Sequence, residues 1–295
     1  MALFVTGDTH GAERLGLHSV DGYVPRLSVA GFPEQRELNK DDVVVICGDF
    51  GGVWDTDREA FAESPKERHD LDWLESRSFT TVFVPGNHEN YDRLTGCRDE
   101  RLLNSWLYEK MPDAEKDKLR QGYPRKEWNG GTVRVIRPSV LMLEPGVFDI
   151  GGFKCLAYGG AKSHDIADGI LDPADFSSRS TYKGAFKSWQ EWERMFRVKG
   201  ISWWEQEQPG PEAEENIMVA AAEHGNCVDY IFTHEAAISD YTFLGYREPS
   251  RINFFLQELK ETVQYKHWFF GHYHNNCNIP GNREHLLYEQ IVQIG

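Results

Sequence analysis

This 295-residue chain has no apolar run approaching the roughly 18 residues that a bilayer crossing requires, so no membrane span is expected. Its first residues, Met1-Ala2-Leu3-Phe4-Val5, give way almost at once to Gly7 and Asp8, with no basic leader. No export signal is read, and a cytoplasmic protein is expected. Cysteine is scarce. Cys47, Cys97, Cys155, Cys227 and Cys277 are an odd, scattered set without a CxxC pair, which excludes a zinc-finger or disulfide framework and suits reduced thiols. Basic charge is also short: 32 Lys+Arg against 47 Asp+Glu leave a net charge of −15. Such a field repels polyanions and anionic membranes, so long nucleic acid is an unexpected partner. Repeats and low-complexity linkers are missing too. With 40% hydrophobic and 27% charged residues, what remains is an ordinary folding chain, read as one domain over 1–295.

Short β-rich runs carry the clearest pattern: Leu3–Thr6, Val43–Cys47, Thr81–Val84, Tyr230–Thr233 and His267–Phe270, each closed by glycine or a polar residue. Amphipathic helices are expected at Pro65–Arg77 and Arg251–Val263, and a third at Pro211–Glu223, which has Pro at its start and Gly225 past its end. This alternation of strand and helix makes an α/β fold. The runs Thr132–Ile136, Val140–Leu143, Val147–Ile150 and Phe153–Tyr158 read as a meander forming a second β layer. Insertions are expected around 97–131 and 163–210. In the second, Phe186, Trp189, Trp192 and Phe196 stand at helical spacing, which suits packing against a neighbour better than base stacking.

The five buried runs end in Asp8-Thr9-His10, Gly48-Asp49, Gly86-Asn87-His88-Glu89, His234 and Gly271-His272-Tyr273-His274. Ligands of open α/β sheets bind beyond the carboxyl ends of the strands, so these segments are expected to converge. Carboxylate, amide and imidazole donors without thiolates suit Mn²⁺, Fe or Zn²⁺. Asp8 with His10, and His272 with His274, are two residues apart, so an extended backbone would turn both members of each pair to one side. Asp49 can bridge two cations, because a carboxylate has lone pairs for ions about 3.5–4 Å apart.

Gly7-Asp8-Thr9-His10-Gly11, Gly48-Asp49-Phe50-Gly51-Gly52, Gly86-Asn87-His88-Glu89, Thr233-His234 and Gly271-His272-Tyr273-His274 together resemble the calcineurin-like metallophosphoesterases over nearly the whole chain. Gly159-Gly160-Ala161-Lys162-Ser163-His164-Asp165 is similar to a segment of bacterial and phage members. The resemblance implies a four-layer α/β/β/α sandwich, here with an inserted helical and aromatic segment. It implies one metal on Asp8, His10, Asp49 and His274, and another on Asp49, Asn87, His234 and His272. Two divalent ions are then the cofactors, manganese foremost, with iron, zinc, magnesium and nickel as alternatives. A water or hydroxide between them would attack phosphorus, while His88 contacts the phosphate and protonates the leaving oxygen. Asn87, His88 and His164 are the candidate substrate-binding residues. Many relatives carry an aspartate where this chain has Gly52, and the protein serine/threonine phosphatases extend that motif with Asp-Arg-Gly; both extensions are missing here, which speaks against close kinship with those phosphatases.

The expected activity is hydrolysis of a small or medium phosphate mono- or diester. A nuclease or cyclic-nucleotide phosphodiesterase is the alternative among enzymes, resting for the nuclease on the local basic stretch Lys116, Lys118, Arg120, Arg125, Lys126, Arg134 and Arg137. A metal-loaded scaffold that binds protein without turnover is the alternative outside enzymes. Oligomeric state is not legible.

Overall fold

Runs of valine, isoleucine and phenylalanine become strands here because both faces of each strand find an apolar layer. The structure, a computed structural model, describes residues 1–11, 26–55 and 59–295. In chain order it lays down β1 (Leu3–Gly7), β2 (Val43–Cys47) and β3 (Thr80–Val84), then β4 (Arg125–Trp128), β5 (Gly131–Arg137), β6 (Val140–Leu143), β7 (Gly146–Ile150) and β8 (Phe153–Tyr158). The short β9 (Gly169–Leu171) and β10 (Phe196–Val198) come next, before β11 (Tyr230–Thr233), β12 (His267–Phe270), β13 (Cys277–Asn278), β14 (Glu284–Leu286) and β15 (Val292–Gln293).

One sheet has the order β15-β1-β2-β3-β6-β5-β4, the other β13-β14-β12-β11-β8-β7. β1, β2, β3 and β6 are parallel, as are β8, β11, β12 and β14. Along β2 the period of two divides the side chains. Val43, Val45 and Cys47 share a cluster with Phe148, Cys155, Phe232 and Phe269 of the opposite sheet. Val44 and Ile46 instead pack with Leu71 and Leu74 of the helix Pro65–Glu75. The second sheet repeats the arrangement: Leu156, Ile231 and Trp268 pack with Ile217 of the helix Pro211–Glu223 and with Leu256 and Leu259 of the helix Arg251–Thr262. Residues buried on both faces produce the near-continuous apolar runs that made these strands readable.

Helix starts carry local chemistry. Ser64 caps Pro65–Glu75 by accepting from the Glu67 N–H at 3.1 Å. Asn253 completes a capping box with Ser250, and its Nδ2 also donates to the Ala236 carbonyl at 2.9 Å. This second bond braces the loop that follows β11.

The mixed α/β architecture is as expected, but the strand partition is not. The predicted meander does not form one layer. β4, β5 and β6 extend the first sheet, whereas β7 and β8 belong to the second, together with β11 and β12. The chain changes sheets between β6 and β7 at Pro145, a residue that lacks the N–H needed to continue a ladder. The aromatic stripe also divides. Phe186 and Trp189 lie on the helix Arg179–Glu191 and pack toward Leu171, Tyr182 and Val198. Phe196 opens β10, and Trp192, just past the helix end, is 74% exposed. β9 and β10 pair in parallel, and Trp106 from the 97–131 region packs against them. Lys199 ties this ribbon down by pairing with Asp99 and with Asp172. No helix of the described residues is long and apolar enough to cross a membrane.

Candidate metal centre

Asp8, Asp49 and Asn87 follow β1, β2 and β3 of one sheet, while His234 and His272 follow β11 and β12 of the other. The site therefore lies where two sets of parallel strand ends meet, rather than along one sheet. The turns that deliver these side chains are unusual. Among the described residues nine non-glycines have positive φ, and five of them are Asp8, His10, Asp49, His272 and His274. Left-handed backbone at such residues is costly and persists only where the surroundings enforce it. The expected extended course of Asp8–His10 and His272–His274 is thus corrected: left-handed turns aim these side chains.

Enforcement comes from hydrogen bonds between the loops. His10 and Gly11 donate their N–H groups to the carbonyls of Asp49 and Phe50, both at 2.8 Å. The buried Glu89 accepts from the N–H of Phe50 at 2.7 Å and of Gly51 at 3.2 Å, fixing the turn after Asp49. The His272 N–H reaches both Asp8 oxygens, at 3.0 and 3.1 Å. Two glycines are sterically required: a Cβ on Gly48, at φ +82°, would enter the His234 ring, and one on Gly86 would strike Asp49 Oδ1.

Two groups of donors result. Asp8, His10, Asp49 and His274 bring one ligand atom each to within 4.8 Å of one another, and Asp49, His234 and His272 do the same. Asp49 belongs to both. Asn87 joins the second group, its Oδ1 3.3 Å from His234 Nε2. His10 Nε2 and His274 Nε2 are 2.8 Å apart. His234 Nδ1 donates to the Cys47 carbonyl at 2.9 Å, which leaves Nε2 facing Asp49 Oδ1 at 3.2 Å. Holding one imidazole nitrogen in this way selects the tautomer and frees the other for a ligand role. His88 Nε2 stands 4.0 Å from Asp49 Oδ2, and the backbone N–H of His88 donates to Asp49 Oδ1 at 2.8 Å. His164, exposed, lays its ring along His272 at 4.5 Å and 24°. Every candidate residue is therefore assembled at one place.

A family model for the calcineurin-like phosphoesterases matches residues 1–276. The chain belongs to the calcineurin-like phosphoesterases. No curated protein matches it. Among solved structures it is similar to the phosphopantetheinyl hydrolase of Mycobacterium tuberculosis, at 14% identity and a TM-score of 0.37, over 99% of this chain and 95% of that one. A likeness at that level carries no argument about activity.

The electrostatics of this phosphoesterase suit cation binding. Burial drives His10 down to about 3 against the pull of Asp49, and drives His272 well below the usual histidine range. Both rings are neutral donors. For His234 burial is outweighed by Asp49 and Asp8, which hold it up at about 10. Burial raises Asp8 to about 7, whereas Asp49 stays well below the carboxylate range because His234 overcomes its desolvation. Without an ion, protons offset the two buried carboxylates; a dication in the same space would displace them.

Several neighbours escaped sequence reasoning. Glu235 Oε2 lies 3.8 Å from His272 Nε2 and receives bonds at Oε1 from Tyr273 and from the Ala236 N–H. Ser163 accepts from Asn87 Nδ2 at 3.4 Å and donates to the buried Glu207 at 2.8 Å. Arg197 of β10 reaches Asn87 and His88. Partners so far along the chain leave no local spacing to read.

Proposed function

We propose that this phosphoesterase hydrolyses small or medium phosphate mono- or diesters using two divalent ions that share Asp49. The observation that carries the reading is the pair of donor groups with Asp49 in common. The residues fit the ions. Oxygen and imidazole donors match manganese, iron or zinc, the two carboxylates provide anionic charge, and His272 Nε2 is buried with no hydrogen-bond partner among the described residues. One ion would sit on Asp8, His10, Asp49 and His274, the other on Asp49, Asn87, His234 and His272. When bound, the ions neutralise phosphoryl charge and acidify a water for attack on phosphorus.

The chain supplies the rest. His88, at the rim of the cluster, binds a phosphoryl oxygen and hands a proton to the leaving oxygen. A cavity of about 370 Å³ opens beside His10 and His88 with Trp54 in its wall, and the Trp54 ring lies along that of His88 at 6.2 Å and 26°. This is room for the organic half of a small ester. His164 stacks over His272 and is available to the substrate from there.

Long nucleic acid fits poorly, because five of the seven residues of the basic stretch are already paired with carboxylates. Lys118 pairs with Glu115, Arg120 with Glu100 and Asp117, Arg125 and Arg134 with Glu144, and Arg137 with Glu63 and Asp72. Charges so occupied release few counterions from a polyanion.

The test is a turnover screen with Mn²⁺ against para-nitrophenyl phosphate, its bis ester, cyclic nucleotides and oligonucleotides. Metal-dependent release of nitrophenolate with weak oligonucleotide cleavage is expected. A protein that binds the ions yet turns over none of these would be a scaffold, against the proposal.

A further inference from the structure

Arg197 is a charged residue placed where the phosphoesterase motifs do not reach. It is the middle residue of β10, in the inserted segment, and is only 8% exposed. Withdrawing a guanidinium from water costs several kcal/mol unless its N–H groups are matched, so its partners show what it is held for. Nε meets Asp165 Oδ1 at 2.6 Å. Nη1 donates to the Ser202 carbonyl at 3.2 Å and to the Asn87 carbonyl at 3.3 Å. Nη2 donates to His88 Nε2 at 3.1 Å. A guanidinium has five N–H groups, and these contacts account for four, leaving one on Nη2 with no partner among the described residues. The open donor is thus on the nitrogen beside His88.

The other contacts make Arg197 rigid. Its ribbon is packed by Leu171, Tyr182 and Val198 and tied by Lys199 to Asp99 and Asp172. Asp165 and the two carbonyls fix the plane of the fork. A preorganised guanidinium with an open N–H is suited to take a phosphoryl oxygen as its partner.

We propose that Arg197 is a substrate-binding residue that takes an unesterified oxygen of the phosphoryl group next to His88, favouring monoesters over diesters. This rests on the phosphoesterase reading above and narrows its substrate class. A monoester presents three unesterified oxygens and a diester two. The third oxygen is the one left over for the protein when the others face the ions, and Arg197 is the fixed cation beside Asn87 and His88. On binding, Nη2 exchanges its bond to His88 for one to the phosphoryl oxygen, and His88 Nε2, until then an acceptor, is freed to take up a solvent proton and pass it to the leaving oxygen.

The experiment compares Arg197→Met, Arg197→Lys and Asp165→Asn in Mn²⁺-loaded protein of verified metal content and melting temperature. Inhibition by inorganic phosphate and kcat/KM for para-nitrophenyl phosphate should weaken roughly 10- to 100-fold in Arg197→Met, the range for a lost charged hydrogen bond. The bis ester should lose less than about threefold. Arg197→Lys, which keeps the charge without the fork, should fall between. Asp165→Asn keeps the guanidinium and an acceptor for Nε but loosens the fork, so its loss of phosphate inhibition should be clearly smaller than that of Arg197→Met; an equal loss in the two would assign the effect to the ion pair and overturn the proposal. Unchanged phosphate inhibition in Arg197→Met, or equal losses on both esters, would overturn it as well. If wild-type protein hydrolyses no ester, the phosphoesterase reading fails by itself, and calorimetric binding of inorganic phosphate to wild type and Arg197→Met still decides whether Arg197 holds phosphate.

Discussion

Glu207 offers a prediction whose size follows from the structure. Its carboxylate, fully buried, receives the N–H and the hydroxyl of Ser163, both at 2.8 Å, while the same hydroxyl accepts from Asn87. Burial pushes Glu207 from 4.5 up to about 7, outweighing the Ser163 bonds that favour ionisation. A raised carboxyl means that the native state holds the proton more tightly than the unfolded chain. The stability this provides is complete below pH 4.5, declines as pH rises, and is lost above about 7. At 1.36 kcal/mol per pH unit, the difference amounts to about 3 kcal/mol. Glu207→Gln is permanently neutral, keeps an acceptor for Ser163, and has no such dependence. Urea unfolding of both proteins from pH 4.5 to 8, with chelator throughout so that metal occupancy is constant, isolates the effect. The two should be similar at pH 4.5, with the variant more stable by about 3 kcal/mol at pH 8. Parallel stability curves across that range would refute the reasoning.

Three further substitutions separate the roles of the site. Asp49→Asn should weaken both ions by more than the 10- to 100-fold typical of residues that merely orient ligands, because Asp49 belongs to both donor groups; metal analysis after gel filtration showing loss of one ion alone would contradict this. His88→Asn should retain metal and lower kcat by roughly 10²–10⁴-fold, with a smaller loss for aryl than for alkyl esters. Equal losses would show that His88 mainly contacts phosphate. His164→Ala removes a ring stacked on His272 and should lower kcat/KM by about 2- to 10-fold at unchanged metal content, the worth of one aromatic contact; wild-type kinetics would return His164 to the surface.

Much of the fold was legible because the strands nearest the site are buried on both faces. Val43–Cys47, Tyr230–Thr233 and His267–Phe270 form with the boundaries read from the sequence, since a continuous apolar run ended by Gly or a polar residue has few other uses. The same property concealed the sheet partition. A strand apolar on both sides carries no mark of which sheet it joins, so β8 was separated from β11 and β12, its actual companions. Side-chain spacing also failed to show how the ligands converge. Asp8 and His10 meet through left-handed turns held by loop contacts such as the His10 N–H to Asp49 bond, and those partners are remote in sequence. Arg197 and Glu207 lay furthest from view. They belong to the segment 163–210, whose pattern, read locally, speaks only of aromatic packing, and their meaning depends on Asn87 and Ser163, respectively 110 and 44 residues away.

The central claim is that two ions sharing Asp49 act together in one hydrolytic site. Titrating chelator-treated protein with Mn²⁺, while bound ions per chain and the rate on para-nitrophenyl phosphate are followed together, tests it most directly. The expected result is a rate that stays low through the first equivalent, rises with the second and levels off at two ions per chain, with Asp49→Asn flat throughout. A full rate at one ion, or a rate indifferent to Mn²⁺, would contradict the claim.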